Sequence, residues 1–182
     1  MILANNKRNM KKIINIAFQS FYLSFSYSTQ PKTAILIHGY HLKASGWENV
    51  IWGDEKNKNL GRLPHAVKIA AHENPSVVLF GSGASKDGEK FEGQVIYEYL
   101  LSRWNDLKMF EKAFEKVDLE SVKEVITSSK LIMTEPLNTK QEIICAGKIF
   151  EKQDIERVFL ISSPTHCPRC LRDACVEWKS KF

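Results

Sequence analysis

Three features are scarce in this chain of 182 residues, and each scarcity excludes a class of protein. Its four cysteines are too few for a small scaffold held together by disulfides. No run of about 18 uninterrupted apolar residues is present, which excludes a polytopic membrane protein. Internal repeats and low-complexity tracts are also missing, so a solenoid or a repetitive array is not expected.

The residues that are present favour a packed globular domain. The chain is 43% hydrophobic and 26% charged, a composition that can bury a core and does not suit a disordered chain. The formal net charge is +5, but residues 1–29 contain four basic and no acidic residues, which leaves 22 basic against 21 acidic residues elsewhere. We therefore expect no basic surface for nucleic acid on the folded part.

The N-terminal segment, residues 1–29, differs in composition from the rest of the chain. A basic stretch from Lys7 to Lys12 precedes a mostly apolar run from Ile13 to Phe25, the arrangement of a signal peptide. Polar residues interrupt that run and its apolar residues recur at helical spacing, so an amphipathic helix fits equally well. Three interpretations follow: a cleaved signal peptide, a helix docked on the domain, or a membrane-surface anchor within residues 1–28.

From Thr33 onward, short apolar runs alternate with longer amphipathic stretches, the pattern of βαβ units. The runs are apolar enough to predict strands buried on both faces of a mostly parallel sheet. The predicted fold of residues 30–182 is therefore an α/β domain, a Rossmann-like three-layer sandwich. The predicted strands are Thr33–His38, Ser76–Phe80, Lys130–Thr134 and Arg157–Ser162. The predicted helices are Leu63–His72, Phe91–Arg103, Leu107–Val117, Leu119–Ser128, Thr139–Lys152 and Thr165–Trp178.

Polar residues and glycines follow each predicted strand. The carboxyl ends of parallel strands share one edge of the sheet, and ligands bind in the crevice outside that edge. We therefore expect the four loops to form one polar site, whereas the opposite edge has only ordinary turn sequences. The four loops are Gly39 to His41, Gly81 to Gly83, Glu135 to Thr139 and Ser162 to His166.

Two kinds of ligand contact are predicted within these loops. The backbone N–H groups of Gly39, Gly81, Ser82 and Gly83 are expected to cradle an anionic group, although Gly81 and Gly83 fit an ordinary turn equally well. Glu135 directly follows a buried strand, where a carboxylate must be solvated, paired or used. We predict that Glu135 acts as a catalytic base or as an acceptor for a ligand hydroxyl.

The last predicted helix begins with two further candidates. His166 and Arg169 are three residues apart on one helix face, at an N-terminus where the helix dipole favours an anion. We predict that Arg169 supplies a fixed positive fork and that His166 donates or accepts a proton; pairing of Arg169 with an acidic neighbour is the alternative. Asn138 and Thr139 are predicted ligand contacts, and either could instead cap the helix that follows.

Six short motifs occur in the order and spacing of a known family. Together they cover residues 33–175 and resemble the YdcF-like family, the bacterial SanA/ElyC group with a Rossmann-like α/β domain. The motifs are Ala34 to Gly39, Arg62-Leu63, Gly81-Ser82-Gly83, Glu92, Glu135 to Thr139, and Leu160 to Arg169.

The resemblance implies a site that includes Arg62 and Glu92 as ligand-binding residues. It also implies a group tied to the cell envelope and thought to be enzymatic, without a generally established reaction. The family's Asn-Thr-x-Glu-Asn appears here as Asn138 to Glu142 with the carboxylate displaced by one position, so Glu142 is not among the predicted site residues. Relatives commonly continue into a further strand and helix beyond the position of Arg169, which predicts an incomplete C-terminal edge.

The predicted function is the binding of an anionic or nucleotide-like small molecule, without a metal. The cofactor is left open, and S-adenosylmethionine is one candidate of the nucleotide-like class. The resemblance leaves open whether the protein is an enzyme, and the N-terminal segment leaves open a cytoplasmic or an envelope location in a bacterium.

Several other functions fit parts of the sequence. Cys167 and Cys170 follow a strand and open a helix, as in a thiol oxidoreductase, but such a motif normally comes early in that fold. Zinc binding would need adjacent helix positions to converge tetrahedrally. The nucleophile elbow of an α/β-hydrolase and the third glycine of a dinucleotide site are both missing around Ser82. A non-catalytic interaction module is the remaining alternative.

Overall fold

The computed structural model describes residues 30–179, so the N-terminal segment and its three interpretations lie outside the described residues. The chain alternates strands and helices. In chain order they are β1 (Thr33–Ile37), α1 (Trp47–Ile51), β2 (Gly53–Asp54), β3 (Asn59–Leu60), α2 (Arg62–Glu73), β4 (Val77–Phe80), β5 (Lys86–Asp87), β6 (Lys90–Phe91), α3 (Glu92–Ser102), a 3-10 helix (Trp104–Phe110), α4 (Glu111–Phe114), α5 (Leu119–Ser129), β7 (Lys130–Ile132), α6 (Thr139–Lys152), β8 (Arg157–Ile161) and α7 (Cys167–Glu177).

The central sheet has four parallel strands in the order β7-β4-β1-β8. Each strand lies within two residues of its predicted bounds, and five of the six predicted helices do so as well. The predicted α/β fold is confirmed. Because all four strands run the same way, the loops that follow them emerge at one edge of the sheet.

The sheet is covered by helices on both faces. Alternate residues of the central strand point in opposite directions, so Ile35 and Ile37 face one core while Ala34 and Leu36 face the other. The first core contains apolar residues of α2, α3 and α5. The second contains Ile143 and other residues of α6 and α7. The result is the three-layer arrangement of helices, sheet and helices.

The expectation that all four strands are buried on both faces is wrong for two of them. The residues of β1 and β4 are buried, whereas β7 and the first four residues of β8 are half-buried or, at Leu131, exposed. Both β7 and β8 lie at the ends of the sheet order, where a strand has a neighbour on one side only. Edge position therefore explains the difference, and each of these two strands also begins with a charged residue, Lys130 in β7 and Arg157 in β8.

The helix predicted over 107–117 is also wrong in type and bounds. The segment contains a 3-10 helix, Trp104–Phe110, followed by the short helix α4. Its buried side chains are Trp104, Leu107 and Phe110, which recur every three residues. A 3-10 helix has three residues per turn, so this spacing places all three side chains on one line facing the core.

Helix α1 and two small hairpins are elements that the sequence reasoning missed. The β5–β6 hairpin pairs Asp87 with Lys90 across the two-residue loop Gly88-Glu89. Gly88 has a φ of 57°, which residues other than glycine rarely adopt. Glycine at the first position of a two-residue loop is typical of a type II′ hairpin turn, so this element could have been predicted.

None of the helices within residues 30–179 has the length and apolar character needed to cross a membrane.

Candidate functional site

The order of the strands locates a crevice at the carboxyl edge of the sheet. From β1 the chain moves outward through β4 to β7, and then returns to place β8 on the opposite side of β1. In open α/β sheets, ligands bind where the order reverses in this way. The crevice between the carboxyl ends of β1 and β8 is therefore the candidate site.

Ionisable side chains are buried around this crevice to an unusual degree. His38, Arg62, Glu92 and Glu142 are each 3% exposed or less. They come from the loop after β1 and from the first turns of α2, α3 and α6. Charged residues are rarely buried unless they are paired or used, so their convergence marks this region as more than a structural core.

His38 and Glu142 form a buried pair at the centre of the cluster. The Nδ1 atom of His38 donates to Glu142 Oε2 at 2.8 Å, and the N–H of Gly39 donates to Glu142 Oε1 at 3.3 Å. The other ring nitrogen of His38, Nε2, is buried and has no hydrogen-bond partner among the described residues. Glu142 therefore fixes the orientation of a ring whose second nitrogen remains unused.

Arg62 ties the loops after β1 and β8 together. One of its terminal nitrogens donates to the carbonyls of His38, at 2.7 Å, and Gly39. The other donates to Ser163 Oγ at 3.0 Å. Burial lowers the pKa of Arg62, but an arginine this basic stays charged. A permanent positive charge therefore stands at the point where the two loops meet.

Glu92 is held by the loop after β4. Ser82 Oγ donates to Glu92 Oε1 at 3.2 Å, and Ser85 Oγ donates to Glu92 Oε2. Burial raises the pKa of Glu92 and the nearby charge of Glu142 raises it further, while the two serine hydroxyls oppose the shift. Two carboxylates thus lie close together, with Glu92 the one whose protonation is favoured.

The glycines of the site make room for these carboxylates. A Cβ atom on Gly39 would overlap Glu92 Oε1, and one on Gly81 would overlap Glu142 Oε1. The backbone N–H groups predicted to cradle an anion have partners within the protein: Gly39 donates to Glu142, Gly81 to the carbonyl of Ile37, and Gly83 to that of Pro136. A ligand would have to displace those bonds to use these three N–H groups.

A second histidine and a cysteine face the crevice from the start of α7. The two ring nitrogens of His166 lie 3.0 Å from Thr139 Oγ1 and from Ser162 Oγ. Cys170 follows one helical turn later, and its Sγ lies 3.7 Å from His166 Nδ1 and 3.6 Å from Ser162 Oγ. The rings of His38 and His166 are 5.9 Å apart, edge to face. The thiol is therefore next to two imidazoles.

The charges of His38 and Cys170 support each other. Burial lowers the pKa of His38, but its interactions with Cys170 and Glu142 outweigh burial and raise the pKa to about 9. Burial raises the pKa of the Cys170 thiol, but its interactions with His166 and His38 lower the pKa to about 6. The two shifts favour the imidazolium of His38 and the thiolate of Cys170.

The opposite shifts make a distinctive pH dependence of stability. His38 stabilises the fold fully below pH 6.5, the ordinary pKa of histidine, and this stabilisation is lost as the pH rises through about 9. Cys170 stabilises the fold fully above pH 9.0, the ordinary pKa of the thiol, and this stabilisation is lost as the pH falls through about 6. Between pH 6.5 and 9 the two changes cancel. We expect Cys170→Ala to remove the Cys170 contribution and to leave the pKa of His38 raised by Glu142 alone, so that the free energy of unfolding of the variant falls with rising pH relative to wild type.

Urea unfolding of both proteins across this pH range measures the difference directly. Cys175→Ala removes an exposed thiol from the same helix and should change stability by less than about 0.5 kcal/mol, so it is the matched control. If the free energy of unfolding changes with pH in the same way for wild type and Cys170→Ala, the coupling between His38 and Cys170 is contradicted.

The structure brings together some of the predicted site residues and leaves others at the surface. Glu135, Asn138 and Arg169 are exposed: Glu135 lies on the loop after β7, Asn138 caps α6 by accepting from Gln141 N, and Arg169 pairs with Asp173 at 3.9 Å. The residues that meet in or beside the buried cluster are Gly39, Arg62, Gly81, Ser82, Glu92, Thr139 and His166.

Two central residues of the cluster, His38 and Glu142, were not predicted, and Cys170 was considered only with Cys167 as the pair of a thiol oxidoreductase. His38 ends an apolar strand, and a titratable group at that position is itself a signal. Glu142 lies on the same face of α6 as Thr139, Ile143 and Ala146, so the helical period places it toward the core. Cys170 is one turn from His166, which puts both side chains on one face of α7.

A cavity of about 340 Å³ opens beside the cluster, within the usual size range of small-molecule sites. Its wall includes Arg62, His65, Ser162 and Ser163. Ser162 therefore separates the cavity from Cys170. No group of three or more histidine, cysteine, aspartate or glutamate side chains in residues 30–179 is arranged to hold a metal ion.

Comparison with known protein families, curated proteins and solved structures finds no match to this chain.

Proposed function

We propose that this protein binds a small anionic or nucleotide-like molecule in the crevice between the carboxyl ends of β1 and β8. The proposal rests on one observation: four ionisable side chains, each 3% exposed or less, converge at the point where the strand order reverses. Ion pairs that serve only structure at a domain surface can stay exposed to solvent. The polar groups of a preorganised binding site are buried, because they must keep their positions before the ligand arrives.

The chemistry of the crevice favours an anionic group on the ligand. Arg62 carries a permanent charge there, and its partner Ser163 lines the adjoining cavity. His166 and Arg169 stand at the start of α7, whose N-terminal dipole also favours negative charge. The hydroxyls of Thr139 and Ser162 complete a set of donors that suits a phosphate, a carboxylate or a ribose.

The six motifs that resemble the YdcF-like family support the same proposal. Arg62, Ser82 and Glu92 belong to those motifs, and they contribute to one cluster at the carboxyl edge. We infer membership of that family, and with it a link to the bacterial cell envelope. The buried pair of His38 and Glu142 supplies a proton donor and acceptor, so the proposal includes an enzymatic role.

A thermal-shift screen of the full chain with nucleotides, adenosyl compounds and phosphosugars tests the binding. The compound with the largest shift is then titrated against wild type, His166→Ala and Arg169→Ala. We expect each substitution to weaken binding by about 1.5 to 3 kcal/mol, the range for a hydrogen bond to a charged group. That loss corresponds to roughly 10-fold to 150-fold in Kd.

Arg172→Ala is the matched control, because Arg172 pairs with the same Asp173 carboxylate as Arg169 but lies further from the helix N-terminus. It should bind like wild type. If no compound raises the melting temperature, or if all three variants bind like wild type, the proposed site is incorrect.

A further inference from the structure

Cys170 has the surroundings of an activated nucleophile. Its side chain is fully buried, with Sγ 3.7 Å from His166 Nδ1 and 3.6 Å from Ser162 Oγ. The ring of His38 lies 5.9 Å from that of His166, and its charge interacts with the Cys170 thiol. Its Nδ1 is bonded to Glu142, and its Nε2 is buried without a hydrogen-bond partner among the described residues. A nucleophile, a base and a third group that orients the base are the parts of a catalytic triad, which is recognised by geometry and not by sequence position.

We propose that Cys170 is the nucleophile of an acyl-transfer reaction on a small ester or thioester, with His38 as the proton carrier and Glu142 as its positioning residue. The proposal rests on the crevice proposed above as the binding site, and it names the substrate class and the reaction. The sequence motifs suggest only a redox pair with Cys167 for Cys170, and the resemblance assigns it no role.

The reaction balances with these groups and water alone. The Cys170 thiolate attacks the carbonyl carbon, a carbon–sulfur bond forms, and the bond to the leaving oxygen or sulfur breaks. The proton on His38 Nε2 goes to the leaving group. In the second half, neutral His38 takes a proton from water, the resulting hydroxide attacks the thioester carbon, and Cys170 leaves as a thiolate. Glu142 holds the ring through both halves.

The burial of the thiol limits the acyl group. Cys170 is fully buried, and Ser162 separates it from the cavity of about 340 Å³. The larger, anionic part of a substrate fits the cavity beside Arg62, and only a short acyl chain would pass Ser162 to reach the sulfur. An acetyl ester is therefore a suitable probe.

The same geometry separates this proposal from a disulfide exchange by Cys167 and Cys170. In such motifs the first cysteine, at the helix N-terminus, is the reactive one. Here the second cysteine faces the two histidines, while Cys167 is half-buried at the first position of α7. The charged and titratable groups around the Cys170 thiol are His38 after β1, Arg62 of α2, Glu142 of α6 and His166 before α7.

The first experiment measures alkylation of the full chain by iodoacetamide across pH, with peptide mass mapping to follow each cysteine. We expect the rate at Cys170 to rise with a midpoint near pH 6, where its pKa lies, instead of near the about 8.5 of an ordinary thiol. His38→Ala should move that midpoint upward. Cys175→Ser leaves the crevice intact and should keep the wild-type profile at Cys170.

The second experiment mixes the full chain with p-nitrophenyl acetate. We expect a burst of about one equivalent of p-nitrophenol and an acetyl group on Cys170. Cys170→Ser and Cys170→Ala should abolish the thioester, while Cys175→Ser should retain it. His38→Ala should lower the acylation rate by about 100-fold or more, the usual contribution of a proton carrier, and Glu142→Gln should lower it less.

The outcomes distinguish the two proposals. No acetyl group on Cys170 together with an ordinary alkylation midpoint would overturn the nucleophile. If Cys170→Ala still binds the screened ligand in that case, the binding site stands without it. An acetylated Cys170 in a protein that no compound stabilises would support the nucleophile and overturn the proposed ligand class.

Discussion

Replacing Glu142 by alanine should lower the free energy of unfolding by about 3 to 5 kcal/mol at pH 7, the cost of removing one partner from a buried ion pair. Glu142 is 3% exposed and accepts from both His38 Nδ1 and the N–H of Gly39. Without it, His38 is left with a charge that only the Cys170 thiolate balances. The alternative for the ring is to lose its proton, which removes the stabilisation as well.

Two further variants separate charge from shape in this experiment. Glu142→Gln keeps the volume but not the charge, and its NH2 group cannot accept one of the two bonds that the carboxylate accepts from His38 and Gly39, so it should cost about 1 to 3 kcal/mol. Glu135→Ala removes an exposed carboxylate from the same edge of the sheet and should stay within about 0.5 kcal/mol of wild type. Urea unfolding at pH 7 measures all three. Equal losses for Glu142→Ala and Glu135→Ala would show that the buried pair contributes nothing to stability.

The sheet could be predicted from the sequence because its strands carry the signal locally. Parallel strands covered on both faces become continuous apolar runs, as in Ala34 to Ile37, and such runs stand out against amphipathic helices. The bounds of α6 could be predicted because Asn138 is a good cap and the apolar period starts directly after it. Exposure of β7 and β8 could not be predicted in the same way, since edge position depends on the strand order and not on composition.

The location of the site was predicted correctly from the sequence, but only some of its residues were. The loops at the carboxyl edge do hold the polar cluster, because parallel strands bring their ends together. Glu135 was chosen for its position after a strand, yet the loop leaves it exposed. Glu142 was set aside because a motif was displaced by one position, although the period of α6 turns it toward His38. Helix phase decides which carboxylate is buried, and motif spacing does not record that phase.

Replacing Arg62 by alanine should have an effect as large as that of Glu142→Ala, about 3 to 5 kcal/mol, because it also leaves buried charges without a partner. Arg62 is 2% exposed, and its charge faces both Glu92 and Glu142. Its removal also takes away the donors that join the loop after β1 to Ser163 after β8. Among the described residues, the crevice then has no buried arginine, and the hydrogen bond between Arg62 and Ser163 is lost.

Comparison with Arg62→Lys and Arg169→Ala makes this expectation specific. Lysine keeps the charge but cannot donate in a planar fork to the carbonyl of His38 and to Ser163 together, so we expect an intermediate loss. Arg169 has a side chain that is 56% exposed and pairs with Asp173 at 3.9 Å, so Arg169→Ala should change stability by less than about 0.5 kcal/mol. Urea unfolding at pH 7 gives the three values. A loss for Arg62→Ala no larger than that for Arg169→Ala would mean that the two carboxylates do not depend on the buried cation, since a charge that balances them cannot be removed without cost.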